Sequence, residues 1–365
     1  MIFSENTYSS LKKSLDKGAP VAGPSDIQIL PTPRCNAACS FCPLNAIPGE
    51  LMKHTPRFST YRKDLPGGLL DRLADDLHHL GGLERVTITG GEPLLYTHII
   101  AAVFQFTRSF PNAEVTLVTN GIKLADFSVF LATAGLANVY VSINAGKEES
   151  FMKQNPTAAT GTFGRIVEGV DALSKASKKT GAPQIGLSAV LTKHSVSDVA
   201  DLFELGRRLG VSSVTYLPLM EIRLEGEAVN RGLSAAPDEF ASFMDEVEKY
   251  GELAAQEGFF LGYAGTREDG GIIAAGDAYK NQPCYAGFSF AAIYPNGDVR
   301  PCCHCEPIMG NLRRNSFGEI WTSERYQEQR KKMLGINSGE ALPGCLCDEC
   351  GYVFENRDLH QGITG

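Results

Sequence analysis

Three cysteines with a spacing suited to a metal centre lie near the start of the chain. Cys35, Cys39 and Cys42 follow the largely apolar stretch 27–30 in the pattern CxxxCxxC. Thiolates hold iron–sulfur clusters, usually four to a cluster, so three local thiols predict either a distant fourth ligand or one iron open to a small molecule. Zinc with a fourth cysteine or histidine is the alternative. A disulfide knot is disfavoured because nothing marks the chain as secreted.

The composition limits the classes of partner and the compartment. The 365 residues carry a formal net charge of −8, with 43% hydrophobic and 21% charged residues, as in an ordinary globular protein. An acidic chain without a basic run is not expected to bind nucleic acid. No apolar run is long enough to span a bilayer, and residues 1–23 lack the apolar core of a signal peptide. We therefore expect a cytoplasmic protein with no membrane or nucleic-acid partner.

The other cysteines form a second group far along the chain. Seven lie from Cys284 to Cys350, and the 241 residues between the two groups contain none. In a reducing compartment ten cysteines favour metal sites over disulfides. The distribution therefore predicts two separate metal-bearing regions.

Strand and helix patterns alternate between the two cysteine groups. Apolar and β-branched runs predict buried parallel strands at 26–31, 85–89, 113–119, 138–144, 184–191 and 212–219. Amphipathic helical patterns lie between them, and the last runs from Pro237 to Glu257. Six such units predict a parallel α/β domain, either a partial barrel or an open doubly wound sheet. In both architectures the chemistry belongs at the carboxyl ends of the strands.

The first cysteine motif, with Phe41 before its last cysteine, resembles the signature of the radical S-adenosylmethionine (SAM) superfamily. The resemblance implies a [4Fe–4S] cluster on Cys35, Cys39 and Cys42, with SAM bound to the open iron. It also implies reductive cleavage of SAM to methionine and a 5′-deoxyadenosyl radical, which abstracts hydrogen from a substrate. The fold that it implies is the partial (β/α)6 barrel.

Glycine and polar residues follow the predicted strands where this family binds SAM. Gly90-Gly91-Glu92 ends the second strand and resembles the family motif for the SAM amino group, with a plain tight turn as the alternative. Asn120, after the third strand, is a ligand candidate or a helix cap. The resemblance implies further SAM contacts on the fourth to sixth strands, by Ser142, Asn144, Ser188 and Leu217. Asn144 replaces the aspartate of many relatives, and core packing is the alternative for Ser188 and Leu217.

Charged residues after the sixth predicted strand are candidates for binding a polar substrate. Glu221 and Arg223 would lie at the mouth of the barrel, and a surface salt-bridge set is the alternative. The long connection 43–65 contains several basic residues. It is a candidate lid or substrate contact, with a solvated loop as the alternative.

The second cysteine group resembles the SPASM/twitch extension of radical SAM enzymes, which holds auxiliary clusters. The stretch 295–298, Pro-Asn-Gly-Asp, predicts a hairpin between Cys284 and Cys302. A Gly-Asn turn, an Ile-Trp pair, a helix and the CxxC of Cys347 and Cys350 follow in the order typical of that extension.

The resemblance implies the shorter twitch form, because no cysteine follows Cys350. It implies one auxiliary [4Fe–4S] cluster on four ligands, Cys284, Cys302, Cys347 and Cys350. Three cysteines and a histidine remain as spare or substitute ligands: Cys303, Cys305, Cys345 and His304. A zinc ribbon is the alternative.

We expect an N-terminal extension over 1–25, a barrel over 26–263, and a linker with the auxiliary-cluster domain over 264–365. The implied enzyme is an oxidoreductase or isomerase of natural-product biosynthesis that needs an external one-electron donor such as flavodoxin or ferredoxin. Its substrate is a small polar molecule (sugar, aminocyclitol or nucleoside) or a ribosomally made peptide. Peptide modifiers often begin with a leader-binding module, whereas only about 25 residues precede the first strand, which favours the small molecule. A zinc-binding structural protein is a further alternative, but it leaves the strand-end residues unexplained.

Overall fold

The structure is a computed structural model. It describes residues 1–42, 63–220, 230–265, 279, 282–336, 342–345, 347 and 350–365, together with the backbone of 223–224 and 227–228. Among the described helices, none combines the length and the apolar character needed to cross a bilayer.

The described helices and strands alternate through most of the chain. The helices are α1 (Glu5–Lys17), α2 (Gly67–Leu80), α3 (Ile99–Ser109), α4 (Leu124–Thr133), α5 (Glu148–Gln154), α6 (Thr162–Thr180), α7 (Val199–Leu209), α8 (Pro237–Gln256), α9 (Ala286–Ser289), α10 (Phe317–Trp321), α11 (Glu324–Leu334) and α12 (Val353–Thr364). The strands are β1 (Asp26–Ile29), β2 (Arg85–Ile88), β3 (Glu114–Thr119), β4 (Asn138–Ser142), β5 (Gln184–Val190), β6 (Ser213–Leu217), β7 (Arg223–Leu224), β8 (Glu227–Ala228), β9 (Phe260–Tyr263), β10 (Phe290–Ile293), β11 (Asp298–Arg300) and β12 (Gly310–Asn311).

One compact unit is drawn from the described residues of 1–33, 60–115 and 273–365. Its strands lie in the order β12-β11-β10-β1-β2. β1 is parallel to both of its neighbours, because Asp26 pairs with Phe290 of β10 and with Arg85 of β2. β10, β11 and β12 are antiparallel. The C-terminal segment therefore extends the sheet that begins with the first strand.

The core of this unit is formed by aliphatic side chains of the central strands. Ile27, Ile29, Val86 and Ile88 are at most 1% exposed, and burying one such side chain contributes roughly 1.5–3 kcal/mol. α1 is held against α12 by a hydrogen bond in which the Tyr8 hydroxyl donates to Asp358 Oδ2.

A second compact unit is drawn from the described residues of 34–59 and 116–272. From residue 116 of β3 onward, its parallel strands follow the order β3-β4-β5-β6-β9. Val139, Val141, Leu187 and Val214 are fully buried, as expected for strands covered on both faces. A separate pair, β7 and β8, is antiparallel.

The predicted strands are confirmed, and each observed strand lies within its predicted range. The last predicted helix is confirmed as α8. Several strands end one or two residues earlier than predicted, and Asn144 therefore lies beyond β4, with a φ of 61°. Asparagine tolerates this left-handed backbone, since its short side chain can bond to nearby backbone groups. The proposed domain boundaries stay a prediction.

Candidate cofactor and cluster sites

The first three cysteines lie on one loop of the second unit, and each is partly exposed. The Cys42 N–H donates to the Cys39 carbonyl at 3.1 Å, which closes a tight turn. The pKa of Cys39 is raised to about 12, first by burial and then by the negative charges of Cys42 and Cys35. The three thiols are therefore close enough for their charges to interact. A cation bound between them would stabilise the thiolates and so lower the pKa that their mutual repulsion raises.

Asn120 binds this cluster loop from the end of β3. Its side-chain N–H donates to Asn36 Oδ1 at 2.8 Å and reaches Cys35 Sγ at 3.6 Å. The Ala37 N–H also donates to Cys35 Sγ, at 3.4 Å. Asn120 Oδ1 accepts from the Ile122 N–H at 3.0 Å, so the residue both caps the following turn and contacts the loop. Hydrogen bonds to a ligand sulfur stabilise the thiolate and tune a cluster.

The predicted SAM-binding residues of β4 and β5 lie together. Ser188 Oγ donates to Ser142 Oγ at 3.3 Å, and the Asn144 N–H donates to the Ser188 carbonyl at 3.1 Å. The Asn144 amide donates to the Ser142 carbonyl at 3.0 Å and accepts from the Val190 N–H at 3.1 Å. The amide therefore fixes the backbone at the end of both strands, with one N–H and one lone pair left for a ligand.

Gln154 connects the cluster loop with this polar group, and the sequence patterns did not identify it. Its backbone carbonyl accepts from the Ser40 N–H at 2.9 Å, and its side-chain N–H donates to the Asn144 carbonyl. The side chain is fully buried. A single glutamine at the end of α5 carries no sequence signal, because its partners are distant in the chain.

The remaining candidates of this region are placed with less detail. Leu217 ends β6, is 37% exposed, and its carbonyl accepts from the Leu191 N–H at 2.8 Å. Phe41 is partly exposed. Arg223 is described only by its backbone, which pairs with Ala228. Glu221 and residues 43–62 of the candidate lid lie outside the described residues.

The Gly90-Gly91-Glu92 turn lies in the first unit, directly after β2. Gly90 has a φ of 132°, and a Cβ there would lie 2.8 Å from the Thr32 carbonyl oxygen. The Gly91 N–H donates to the same oxygen at 2.9 Å. Glu92 is fully buried, and its carboxylate accepts from the Leu94 N–H at 2.9 Å. Only glycine permits this close approach of two backbone segments.

The second cysteine group surrounds a cavity of the first unit, which we call the auxiliary cavity. The cysteines that line it are Cys284, Cys302, Cys305, Cys345, Cys347 and Cys350. The four predicted cluster ligands are thus brought together. The predicted hairpin is confirmed as β10 and β11 with Gly297 at the turn.

Hydrogen-bond donors point at the sulfur atoms of the predicted ligands. The His304 N–H donates to Cys302 Sγ and the Tyr352 N–H to Cys350 Sγ, each at 3.4 Å. Tyr279 Oη lies 2.8 Å from Cys350 Sγ. Burial, and then the charge of Cys302, raise the pKa of Cys284 to about 12. Thiolates in this cavity need a compensating cation, which iron supplies.

The spare cysteines differ in their positions. Cys305 and Cys345 form a disulfide in this structure, with their Cα atoms 4.1 Å apart, so they are bonded to each other rather than available as ligands. Cys303 is a free, partly exposed thiol. His304 lines the auxiliary cavity, and it donates its backbone N–H to Cys302.

Both cysteine groups fit iron–sulfur clusters by the chemistry of their donors. The loop offers three thiols, and the auxiliary cavity offers four further ones with N–H groups directed at sulfur. Among the described residues, no three or more His, Cys, Asp or Glu side chains are placed so that they could hold a metal ion together. Cluster binding therefore requires local rearrangement of neighbouring thiols, as is usual when metal binding is coupled to folding.

Two family models match the two cysteine regions. The model of the radical SAM superfamily matches residues 29–206. The SPASM model, which describes an iron–sulfur cluster-binding domain, matches residues 284–351. The chain contains a radical SAM domain and a SPASM-type domain. Its radical SAM domain binds SAM and a [4Fe–4S] cluster, and its SPASM domain binds auxiliary iron–sulfur, so the predicted family and cofactors are confirmed.

Curated relatives of this chain are distant in sequence. A probable GTP 3′,8-cyclase of Saccharolobus islandicus (strain M.14.25 / Kamchatka #1) is 27% identical over 312 residues, which cover 85% of this chain and 91% of the relative. A probable GTP 3′,8-cyclase of Metallosphaera sedula is 25% identical over 287 residues, with 76% and 80% covered.

Two solved structures with the same fold contain bound S-adenosylmethionine. Streptococcus suis SuiB bound to S-adenosylmethionine gives a TM-score of 0.65 at 17% identity, covering 96% of this chain and 78% of SuiB. anSMEcpe with bound AdoMet and the Cp18Cys peptide gives 0.63 at 15% identity, covering 90% and 86%. The predicted α/β fold class, with mainly parallel strands and a C-terminal cluster-binding domain, is therefore confirmed.

Proposed function

We propose that this radical SAM enzyme abstracts hydrogen from a small polar metabolite of the nucleoside, sugar or aminocyclitol type. The observation that carries the radical chemistry is the grouping of Cys35, Cys39 and Cys42 on one loop, close enough for their charges to interact. The bound cluster and SAM supply a one-electron cleavage of SAM and a hydrogen-atom acceptor. The protein itself binds, orients and shields the reactants.

Residues at the strand ends would hold SAM. Gly90, Gly91 and Glu92 would receive its amino group on backbone carbonyls and a buried carboxylate. Ser142, Asn144 and Ser188, which form one hydrogen-bonded group, would contact its carboxylate and ribose. Leu217 is exposed at the end of β6 and would pack on the adenine, and Asn120 would orient the cluster loop.

We assign the auxiliary cluster to Cys284, Cys302, Cys347 and Cys350. Four protein thiolates complete the coordination of one [4Fe–4S] cluster, so no iron is left open for a substrate. The cluster would then act as an electron carrier. It would accept the electron left after hydrogen abstraction, giving net oxidation, or pass an electron inward from an external donor protein.

The names of the curated relatives support a small-molecule substrate. The Saccharolobus protein is named for a reaction of GTP, and its similarity covers 91% of its length. A nucleoside triphosphate belongs to the proposed substrate class. GTP is therefore the first pure compound to test, followed by other nucleosides and by amino sugars.

The test follows deuterium from substrate into 5′-deoxyadenosine. Reduced, anaerobically reconstituted enzyme and SAM are incubated with deuterated GTP. In parallel they are incubated with small-molecule and peptide fractions from cells grown in deuterated medium. We expect labelled 5′-deoxyadenosine from the small-molecule fraction, measured by mass spectrometry. Label only from the peptide fraction would overturn the substrate class and leave the radical chemistry intact, whereas no label from any source would overturn hydrogen abstraction.

Cysteine variants provide the controls. Cys35→Ala/Cys39→Ala/Cys42→Ala should form no 5′-deoxyadenosine but keep about four irons, as one remaining [4Fe–4S] cluster requires. Cys303→Ala removes a thiol outside the proposed ligand sets and should keep the iron content of the unaltered protein. An iron-free triple variant would contradict the assignment of the auxiliary cluster.

A further inference from the structure

Arg330 is a buried cation in the C-terminal part of the first unit. It lies on α11 and is 1% exposed. Its guanidinium carbon is 4.2 Å from the centre of the Tyr326 ring and 4.4 Å from that of the Trp321 ring. Burial lowers the pKa of Arg330 to about 10, so the group still carries its charge at neutral pH.

The hydrogen bonds of Arg330 are to neutral groups. Nε donates to the Gly287 carbonyl at 2.7 Å, and Nη1 donates to Gln327 Oε1 at 3.1 Å. Nη2 is buried and has no hydrogen-bond partner within the described part of the chain. No ion pair joins Arg330 to a carboxylate of the described residues. A fully buried arginine normally has a counter-charge, because an unpaired charge is costly to bury.

Contacts of α11 connect this cation to the auxiliary cavity. Met333, one turn beyond Arg330, lines the cavity, and its carbonyl accepts from the Cys284 N–H at 3.2 Å. Gly287 lies three residues after Cys284, and a Cβ there would come within 3.1 Å of both Arg330 Cγ and Met333 Sδ. Burial is the main cause of the raised pKa of the Tyr326 hydroxyl; the Arg330 charge opposes it and the Cys302 thiolate charge adds to it, so Tyr326 lies near both groups. The helix of Arg330 therefore contacts the Cys284 segment through Met333 and Gly287, and the Tyr326 ring that packs on the cation lies near Cys302.

We propose that Arg330 is the counter-charge of the auxiliary cluster and raises its reduction potential. A [4Fe–4S] cluster held by four thiolates is anionic and becomes more so when it gains an electron, and nearby charge is one determinant of its potential. A fixed buried cation therefore favours the reduced form. The inference needs the auxiliary cluster but no particular substrate, so it is independent of the proposed substrate class.

The test measures the potential of the auxiliary cluster alone. Full-length protein with Cys35→Ala/Cys39→Ala/Cys42→Ala is reconstituted and titrated with reductant, and the reduced cluster is followed by electron paramagnetic resonance. In Arg330→Met we expect the ratio of reduced to oxidised cluster at a fixed potential to fall about tenfold, which is about 59 mV for a one-electron couple. Arg330→Lys keeps the charge and should stay within about threefold of the unaltered residue.

Arg325→Met is the matched control, because Arg325 lies on the same helix but is exposed. Solvent and salt screen its charge, so the ratio should change by less than about twofold. Equal shifts in Arg330→Met and Arg330→Lys, or no shift in Arg330→Met, would overturn the proposal. If the triple cysteine variant with an unaltered Arg330 holds no iron, the ligand assignment, and with it the proposal, is overturned.

A stability measurement separates charge from packing. If Arg330 balances the cluster, a neutral side chain should lower the melting temperature more in the cluster-loaded protein than in the iron-free protein. Equal losses in both forms would assign Arg330 a packing role and contradict the proposal. If Arg330→Met does not fold, Arg330→Gln is the neutral variant to which the same criteria apply.

Discussion

Gln154 contributes a hydrogen bond at each end of a short connection between the cluster loop and the end of β4. Its carbonyl receives the Ser40 N–H, and its amide donates to the Asn144 carbonyl. The amide oxygen Oε1 is buried without a hydrogen-bond partner among the described residues. Burying a polar side chain that makes only some of its hydrogen bonds costs stability. We therefore expect that the position of Gln154 is needed to hold the cluster loop.

Replacing this glutamine should weaken the connection at its Asn144 end, while the bond from the Ser40 N–H to the backbone carbonyl is kept. Gln154→Leu removes the donor to the buried Asn144, and we expect the free energy of unfolding to fall by about 1–3 kcal/mol. We also expect weaker SAM binding, measured as the SAM-induced change in the electron paramagnetic resonance spectrum of the reduced cluster.

Gln105→Leu is the control, because Gln105 is a partly exposed residue of α3 with one weak side-chain contact at 3.4 Å. Its effect should stay within about 0.5 kcal/mol. Equal effects of the two variants on SAM binding would assign Gln154 no role at the loop.

Sequence patterns identify residues whose role can be inferred from the spacing of their neighbours in the chain. The two cysteine groups and the glycine pair after β2 were found in this way. Gln154 and Arg330 were not, because their roles depend on contacts with Asn144 and Gly287, which are separated from them by 10 and 43 residues. The left-handed backbone of Asn144 also depends on its pairing with β5.

The hairpin of β10 and β11 places Cys302 relative to Cys284. Gly297 at its turn has a φ of 90°, and a Cβ there would lie 3.1 Å from Asn311 Oδ1. The Leu312 N–H donates to the Gly297 carbonyl at 2.8 Å, which ties the turn to the segment after β12. The geometry of the turn therefore affects three strands.

Gly297→Ala should lower the occupancy of the auxiliary cluster. A side chain at this positive φ costs about 1–3 kcal/mol, and the strain falls on the hairpin that leads into Cys302. The measurement is the iron content of the reconstituted variant in the background without the first three cysteines.

Gly318→Ala in α10 is the matched control. A Cβ at Gly318 meets nothing within 4 Å, so the substitution should be neutral or stabilise by about 0.4–1 kcal/mol. If Gly297→Ala keeps its iron content, the geometry of the hairpin turn does not affect cluster binding.

The sequence predicted these elements well, because period and turn chemistry are local properties. It placed six parallel strands and the hairpin correctly, but it did not predict that β10 would pair with β1. Strand order depends on contacts between distant segments, which a pattern in one segment does not encode.

A partly buried group of three charged residues joins distant parts of the chain. Asp26 begins β1, Arg85 begins β2 and Glu355 lies in α12. Arg85 Nη1 is 3.4 Å from Asp26 Oδ2 and 3.2 Å from Glu355 Oε1. Burial raises the pKa of Asp26 to about 7, an effect that Arg85 opposes and Glu355 increases. The protonated carboxyl is therefore favoured in the folded protein relative to the unfolded chain.

This group predicts a pH dependence of stability. The unfolded aspartate loses its proton near pH 4 and the folded one near pH 7, so the contribution of Asp26 is complete below pH 4 and is lost as the pH rises towards 7. From pH 5 to 7 the loss is about 2–3 kcal/mol, at 1.36 kcal/mol per unit. Asp26→Asn stays neutral, so its stability relative to wild type should rise over this range in chemical unfolding. A constant difference would mean that Asp26 is ionised throughout.

The pairing of β10 with β1 has a consequence for the newly made chain. Phe290 is translated 264 residues after its partner Asp26. At about 5–20 residues per second, the ribosome needs roughly 13 to 53 seconds to cover that interval. During this time one edge of β1 stays open to other strands, which is a hazard for aggregation. The nascent protein therefore benefits from a chaperone until its last quarter emerges.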